Sequence, residues 1–219
     1  MVWATKTVVR IVSGDLSRPG VEVAPLLLGT ILTSDIGGRR VSVRVVEVEA
    51  YGGPGEDPAS HAHHGMTPRN TSMFGPPGTC YIYRSYGIHW CLNVTIGPVG
   101  HAAAVLLRAG QVVAGFDVAR ERRLPPSGRP SLARDLARGP GRLTQALGVT
   151  GSLDGSDLLD PGNPLRLTSL DEPATEYLRG PRVGISRAAD RPWRFWLPDE
   201  PTVSAYREGA VTRREGSER

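Results

Sequence analysis

The run Val41 to Ala50 is rich in valine and interrupted by single polar residues. That pattern predicts a half-buried β-strand, ended by the turn-forming Tyr51-Gly52-Gly53-Pro54. Side chains alternate across a strand, so Glu47 and Glu49 share one face. The polar stretch Ala59 to Pro77, punctuated by Gly and Pro, reads as a loop. A hairpin follows, with strands over Cys80 to Ser85 and Ile88 to Ile96 and a tight turn at Tyr86-Gly87. In its second strand Ile88, Trp90, Leu92, Val94 and Ile96 alternate with His89, Cys91, Asn93 and Thr95. The first set predicts a core face and leaves the second available.

Ala102 to Arg108 reads as a third strand and Val113 to Arg123 as a helix. Leu124 to Ser131, with three prolines and a glycine, reads as a surface loop. Gly139-Pro140-Gly141 opens a predicted helix, Leu143 to Leu147, whose free amides could take a phosphate oxygen. Strand-like segments at Leu165 to Thr168, Arg182 to Ile185 and Trp193 to Trp196 complete the apolar inventory. The mix predicts an α+β domain on an antiparallel sheet. A length of 219 residues fits one domain, placed at residues 1–206, with a tail at 207–219 predicted to be disordered.

The net charge of +4 is compatible with a polyanionic partner but does not demand one. Seven arginines between Arg120 and Arg142 face only Glu121 and Asp135 over that stretch, the strongest basic patch in the chain. Cys80 and Cys91 form no CxxC pair and are expected as reduced thiols. The longest mainly apolar stretch, near Ala102 to Leu107, is too short to span a bilayer, and the N-terminus lacks the pattern of a signal peptide. The expectation is a soluble, cytoplasmic protein with no membrane partner. Lys6 is the only lysine, so Schiff-base chemistry has one internal lysine candidate.

Glu49 ends a buried strand just before a Tyr and a glycine turn, a position that faces a cleft. It can act as a general base, or simply accept N–H donors or pair with Arg44 or Arg108. Pattern alone does not choose, and Glu47 lies on the same face. His61, His63 and His64, with Glu56 and Asp57 upstream, raise the possibility of a metal. Their spacing matches no zinc pattern, and catalytic zinc takes its ligands from a rigid frame, so solvated or pocket-lining histidines are the stronger reading. Tyr81 and Tyr83 share a strand face, where cross-strand packing is the ordinary explanation. A bulky Tyr86 beside Gly87 at an exposed turn suits a wedge into a base stack.

Val46-Glu47-Val48-Glu49-Ala50-Tyr51, Ala59-Ser60-His61, Thr67-Pro68-Arg69-Asn70, Met73-Phe74 and Pro77-Gly78-Thr79 through Tyr83 together resemble the alkyladenine (3-methyladenine) DNA glycosylase family. The likeness continues through Tyr86-Gly87, Cys91-Leu92-Asn93, Val105 to Ala109, Gly139 to Leu147 and Arg182 to Ile185, so it spans roughly Gly29 to Val203. The resemblance implies a single compact domain on a curved antiparallel sheet with a protruding β-hairpin. It implies a monofunctional DNA glycosylase of base excision repair, with no AP lyase step and no cofactor. Its partner is then double-stranded DNA carrying damaged purines of the 3-methyladenine, 7-methylguanine, hypoxanthine and ethenoadenine class. A monomer in a bacterial-type cytoplasm, nucleoid-associated when on DNA, is expected.

Carried over by motif, Glu49 is similar to the family's general base, with Arg108 and the backbone carbonyl of Val183 helping to hold the nucleophilic water. Tyr51, His61 and Tyr83 match the pocket for the flipped base, and Asn93 the side chain that crowds the 2-amino group of guanine. Tyr86 matches the tyrosine that fills the gap left by the extruded nucleotide. The loop from Tyr51 to His61 is one residue longer than in some family members, so His63 and His64 stay as alternatives to His61, which the spacing favours. Two other readings compete: a nucleic-acid-binding or tRNA-modifying module without this chemistry, and a metal-dependent hydrolase using the histidine loop.

Overall fold

A computed structural model describes residues 13–125, 128, 131–168 and 176–209. Lys6 and residues 210–219 of the predicted tail lie outside that set. Among the described residues four α-helices accompany eight strands: α1 (Ser13–Leu16), α2 (Gly20–Leu26), β1 (Ile31–Ser34), β2 (Val41–Tyr51), β3 (Cys80–Ser85), β4 (His89–Ile96), β5 (Ala103–Ala114), α3 (Phe116–Arg122), α4 (Pro140–Leu147), β6 (Leu165–Thr168), β7 (Leu178–Gly180) and β8 (Arg194–Trp196). The strands form one curled antiparallel sheet in the order β3-β4-β5-β2-β1-β6, so the predicted α+β class holds.

Strand β2 is its axis. One edge runs along β5; the other is divided, pairing with β1 over Val41–Arg44 and with β8 over Glu47–Glu49. The β2–β5 register slips between Val45 and Glu47 and again between Glu47 and Val48. A bulge places two successive residues on one side, and the parity of every later side chain then reverses. Val41, Val43 and Val45 enter the core before the slip; Val46, Val48 and Ala50 enter it afterwards. Glu47, Glu49 and Tyr51 are thereby turned to the opposite face. On β5 the matching face carries Ala104, Leu106 and Arg108, while Ala103, Val105, Leu107 and Ala109 join the core.

Helix α4 buries Leu143, Ala146 and Leu147 in that core and ends at Gly148, whose φ of 71° provides a left-handed cap. On the other face a smaller cluster of Ala62, Met73, Tyr81, Ala102 and Ala104 supports the loop that precedes β3. Strand β4 pairs with β5 only over Asn93–Ile96, whereas β3 and β4 pair as far as Ser85 and His89. The end of the hairpin therefore projects past the sheet.

Several predicted boundaries change. Strand β5 continues to Ala114, and the helix that follows starts at Phe116 instead of Val113, because Gly115 turns the chain with φ 74°. Arg182 to Ile185 is not a strand; a turn at Val183-Gly184 takes its place, with Gly184 at φ 74°. Ile88 lies outside β4 and is 68% exposed, so it is not part of the core face: it occupies the projecting tip, beyond the reach of β5. The short elements α1, α2, β1 and β7 carry too few periodic residues to stand out in the sequence.

Gly115 combines a left-handed backbone with close approach to Arg40, whose carbonyl oxygen occupies the place where a Cβ would stand. Gly115→Ala is expected to destabilise the protein by about 1–3 kcal/mol. Urea unfolding of the two proteins tests this, and an unchanged midpoint contradicts it.

Candidate active site

The two carboxylates on the reversed face of β2 are both fully buried, at 0% exposure. An unpartnered buried charge costs several kcal/mol, so each must be matched. Glu47 is enclosed by donors: Arg108 Nε at 3.0 Å, Arg194 Nε at 2.7 Å, and the Ser204 amide and hydroxyl at 2.7 and 2.8 Å. Glu49 accepts the Tyr51 hydroxyl at 2.8 Å and Arg108 Nη1 at 3.3 Å on Oε2, and the Val183 N–H at 2.7 Å on Oε1. A carboxylate offers about four lone-pair directions. Glu47 meets four protein donors, three on Oε1 and one on Oε2; Glu49 meets three, two on Oε2 and one on Oε1, so Oε1 keeps a further acceptor direction.

Arg108 bridges the pair. Burial opposes its charge, but the Glu49 and Glu47 carboxylates outweigh that and hold the guanidinium above its usual range. Arg44, the other candidate partner for Glu49, instead pairs with Glu200 at 2.6 Å. Burial, reinforced by Glu49 and then Tyr83, raises the Tyr51 hydroxyl well above its ordinary value, so it stays protonated and donates.

Tyr51, Arg108 and Val183 also line a cavity of about 580 Å³, and Glu49 lies immediately behind them. Its walls bring together the other predicted residues: His61, Tyr83, Asn93 and Tyr86. The His61 ring stands edge-on to Tyr83, with centroids 4.5 Å apart, and its Nδ1 shares a 2.7 Å hydrogen bond with the Tyr81 hydroxyl. Burial, with Arg69 adding to it, lowers the His61 pKa from 6.5, so the ring is neutral near pH 7. Asn93 donates from Nδ2 to the Tyr81 carbonyl at 2.9 Å, which fixes the orientation of its amide. Among the three histidines, His61 is the one lining the cavity; His63 and His64 pack on each other at 4.7 Å.

At the hairpin tip Tyr86 and Gly87 have φ of 49° and 69°, and Ile88 donates its N–H to the Ser85 carbonyl at 2.9 Å. Positive φ at both central residues matches a type I′ turn. Left-handed backbone is strained for a bulky L-residue, and strain of this kind concentrates at functional sites. Tyr86 is 92% exposed. The exposed Ile88 stands two residues away on the same tip.

Other parts of the sequence reading shift. Val183 meets Glu49 through its amide N–H, whereas the resemblance had drawn attention to its carbonyl. Some arginines of the basic patch are engaged by the protein itself, while Arg120, Arg134 and Arg142 stay exposed. Arg122 donates to the carbonyls of Ile36, Arg39 and Ala146, Arg138 to that of Val203, and Arg142 faces Asp135. In the histidine loop, Asp57 is bound to Arg182, and Glu56 accepts the Gly53 N–H. No local pattern marks Arg194 and Ser204 closing around Glu47, or Arg182 meeting Asp57 across 125 residues. The one signal within reach was the broken alternation in Val45-Val46, which marks the bulge.

A cavity lined by Tyr51, His61 and Tyr83, a buried carboxylate behind it and a protruding hairpin at its edge have the make-up of an enzyme active site. Comparison with known proteins gives the family. Residues 15–201 match the family model described as methylpurine-DNA glycosylase. A relative from Nocardia farcinica is 54% identical over 198 residues, covering 86% of this chain and 90% of its own. Another from Rhodococcus jostii is 51% identical over 192 residues (85% and 81%), and one from Mycobacterium tuberculosis 51% over 201 residues (90% and 94%). All three are named provisionally as 3-methyladenine DNA glycosylases. The chain belongs to the methylpurine-DNA glycosylase family, hydrolases of DNA repair that act on N-glycosyl bonds. Among the described residues no helix is long and apolar enough to cross a membrane.

Proposed function

We propose that this protein is a monofunctional glycosylase that flips alkylated or deaminated purines out of duplex DNA and hydrolyses their N-glycosidic bond with water activated by Glu49. The observation that carries the reading is the Glu49 carboxylate, buried behind the cavity wall and held by Tyr51, Arg108 and Val183 with one acceptor direction left. Water placed on Oε1 gives its proton to Glu49 as its oxygen attacks the anomeric carbon of the sugar. The bond from that carbon to the purine breaks, and the base leaves with the electron pair. The sugar is oxocarbenium-like in the transition state, so the same negative carboxylate also favours the developing positive charge.

Arg108 fixes the carboxylate from one side and the Val183 N–H from the other, with the Val183 carbonyl as a further holder of the water. Tyr51 and Tyr83 offer faces to the flipped base. Alkylation at N3 or N7 makes the purine cationic, and stacking on tyrosine then adds about 0.5–2 kcal/mol over a neutral base. A neutral His61 does not repel that cation. Asn93 crowds the 2-amino group that distinguishes guanine from hypoxanthine. Easier extrusion of weakly paired bases and a weakened glycosidic bond supply the remaining selectivity. Lys6, the only lysine, lies outside the matched residues 15–201, which supports hydrolysis without a Schiff-base lyase step. The enzyme then acts as a monomer on cytoplasmic, nucleoid DNA, without metal or cofactor, through a domain over residues 1–206.

Duplex oligonucleotides carrying hypoxanthine, ethenoadenine or 3-methyladenine test the reading. Wild type is expected to excise in EDTA, and Glu49→Gln to lose roughly 100- to 10,000-fold in rate. Cleavage by Glu49→Gln at the wild-type rate contradicts the mechanism, and loss of wild-type activity in EDTA favours the metal-dependent alternative. Tyr86→Ala removes the proposed plug and is expected to weaken binding to lesion DNA by about 1–3 kcal/mol. Unchanged binding and excision reject that role.

A further inference from the structure

Arg182 precedes Val183 in the chain, yet its side chain does not line the cavity. It is 1% exposed and forms a two-pronged ion pair with Asp57, Nη1 to Oδ2 and Nη2 to Oδ1, the latter at 2.9 Å. Burial alone would raise the Asp57 carboxyl, and the hydrogen bonds and charge of Arg182 hold it below its usual range. The pair joins three segments that each supply one wall of the site.

The first segment is the end of β2. Arg182 Nη1 donates to the Ala50 carbonyl at 3.0 Å, its guanidinium lies 4.6 Å from the centroid of the Tyr51 ring, and Asp57 accepts the Gly52 N–H at 3.2 Å. The second is the loop leading to His61, where Asp57 accepts the Ala59 N–H at 3.1 Å. The third is the turn after Arg182, closed by Nη2 donating to the Ala188 carbonyl at 3.4 Å. Trp193, with its ring centroid 5.2 Å from the guanidinium, packs against the same group.

Tyr51 and Val183 supply two of the three hydrogen bonds to Glu49, and both hang from this one guanidinium. Arg182 Nε is buried with no hydrogen-bond partner among the described residues. The orientation of Arg182 follows from the rings, carbonyls and carboxylate that it reaches together.

We infer that Arg182 and Asp57 are a positioning pair for excision, holding Tyr51 and Val183 where both donate to Glu49, without touching the substrate. The inference rests on the reading of Glu49 as the base and extends it to a layer behind the site. Misplacing reacting groups by a fraction of their separation slows a reaction steeply, so loosening the pair is expected to lower the rate of the chemical step roughly 10- to 100-fold.

The test is single-turnover excision from a hypoxanthine duplex, with enzyme in saturating excess, by wild type, Arg182→Lys, Asp57→Asn and the double variant Asp57→Asn/Arg182→Gln. Lesion-duplex affinity and the fraction of active molecules are measured on the same preparations. A misfolded fraction lowers the active fraction but leaves the rate constant of bound complexes unchanged. The double variant removes both charges of the pair together, so neither is left buried and unmatched. The pair is a positioning device if the folded variants lose rate constant by roughly 10- to 100-fold, with Arg182→Lys the mildest, while affinity stays within about threefold. It is overturned if a folded variant keeps the wild-type rate constant and loses only thermal stability or active fraction. If wild type does not excise, or Glu49→Gln excises normally, the underlying reading of Glu49 fails and takes this inference with it.

Discussion

The structure turns on the burial of two carboxylates side by side on one strand. Glu47 and Glu49 are fully enclosed, and no charge of that kind is stable in a protein interior unless donors surround it. Arg108 stands between them on the neighbouring strand β5 and serves both. The bulge in β2 turns both carboxylates away from the valine core. The slip at Glu47/Val48 falls where Arg108, on β5, lies opposite them. The consequence is a division of labour. Glu47, with Arg194 and Ser204 completing its shell, anchors Arg108; Glu49, with fewer donors, remains able to accept one more hydrogen.

The cavity depends on that arrangement. Tyr51, Arg108 and Val183 are at once the wall that a ligand meets and the donors that hold Glu49. A displacement of the wall is therefore a displacement of the carboxylate's hydrogen bonds. The hairpin contributes Tyr83 to the same wall and carries Tyr86 beyond the end of the β4–β5 ladder, in the left-handed backbone of its tight turn.

Local pattern revealed the elements whose side chains repeat over many residues. The valines of β2, the alternation in β4 and the Tyr86-Gly87 turn were legible, and Tyr51, His61, Tyr83 and Asn93, named by ordered motifs resembling one family, all line one cavity. Ile88 was misplaced because alternation continues past the point where a neighbouring strand exists to bury it. The Val113–Arg123 helix began too early because Val112 and Val113 extend either an apolar strand or an amphipathic helix, and only Gly115, with its left-handed backbone, decides. The closing of Arg194 and Ser204 around Glu47 and the pairing of Arg182 with Asp57 join positions more than a hundred residues apart. No spacing in one dimension records such contacts: pattern alone left Glu47 and Glu49 equivalent, the family resemblance pointed to Glu49, and the donors supply the physical difference between them.

That distinction is the central claim, and parallel measurement of Glu47→Gln and Glu49→Gln tests it most directly. For each, thermal unfolding and the single-turnover excision rate of fully bound lesion duplex are determined on the same preparation. The account predicts that Glu49→Gln loses far more rate than stability, and that Glu47→Gln, which disrupts the shell around Arg108 and Arg194, loses the greater stability and the smaller part of the rate. A Glu49→Gln protein that excises at the wild-type rate, beside a Glu47→Gln protein that is stable but inert, would contradict it.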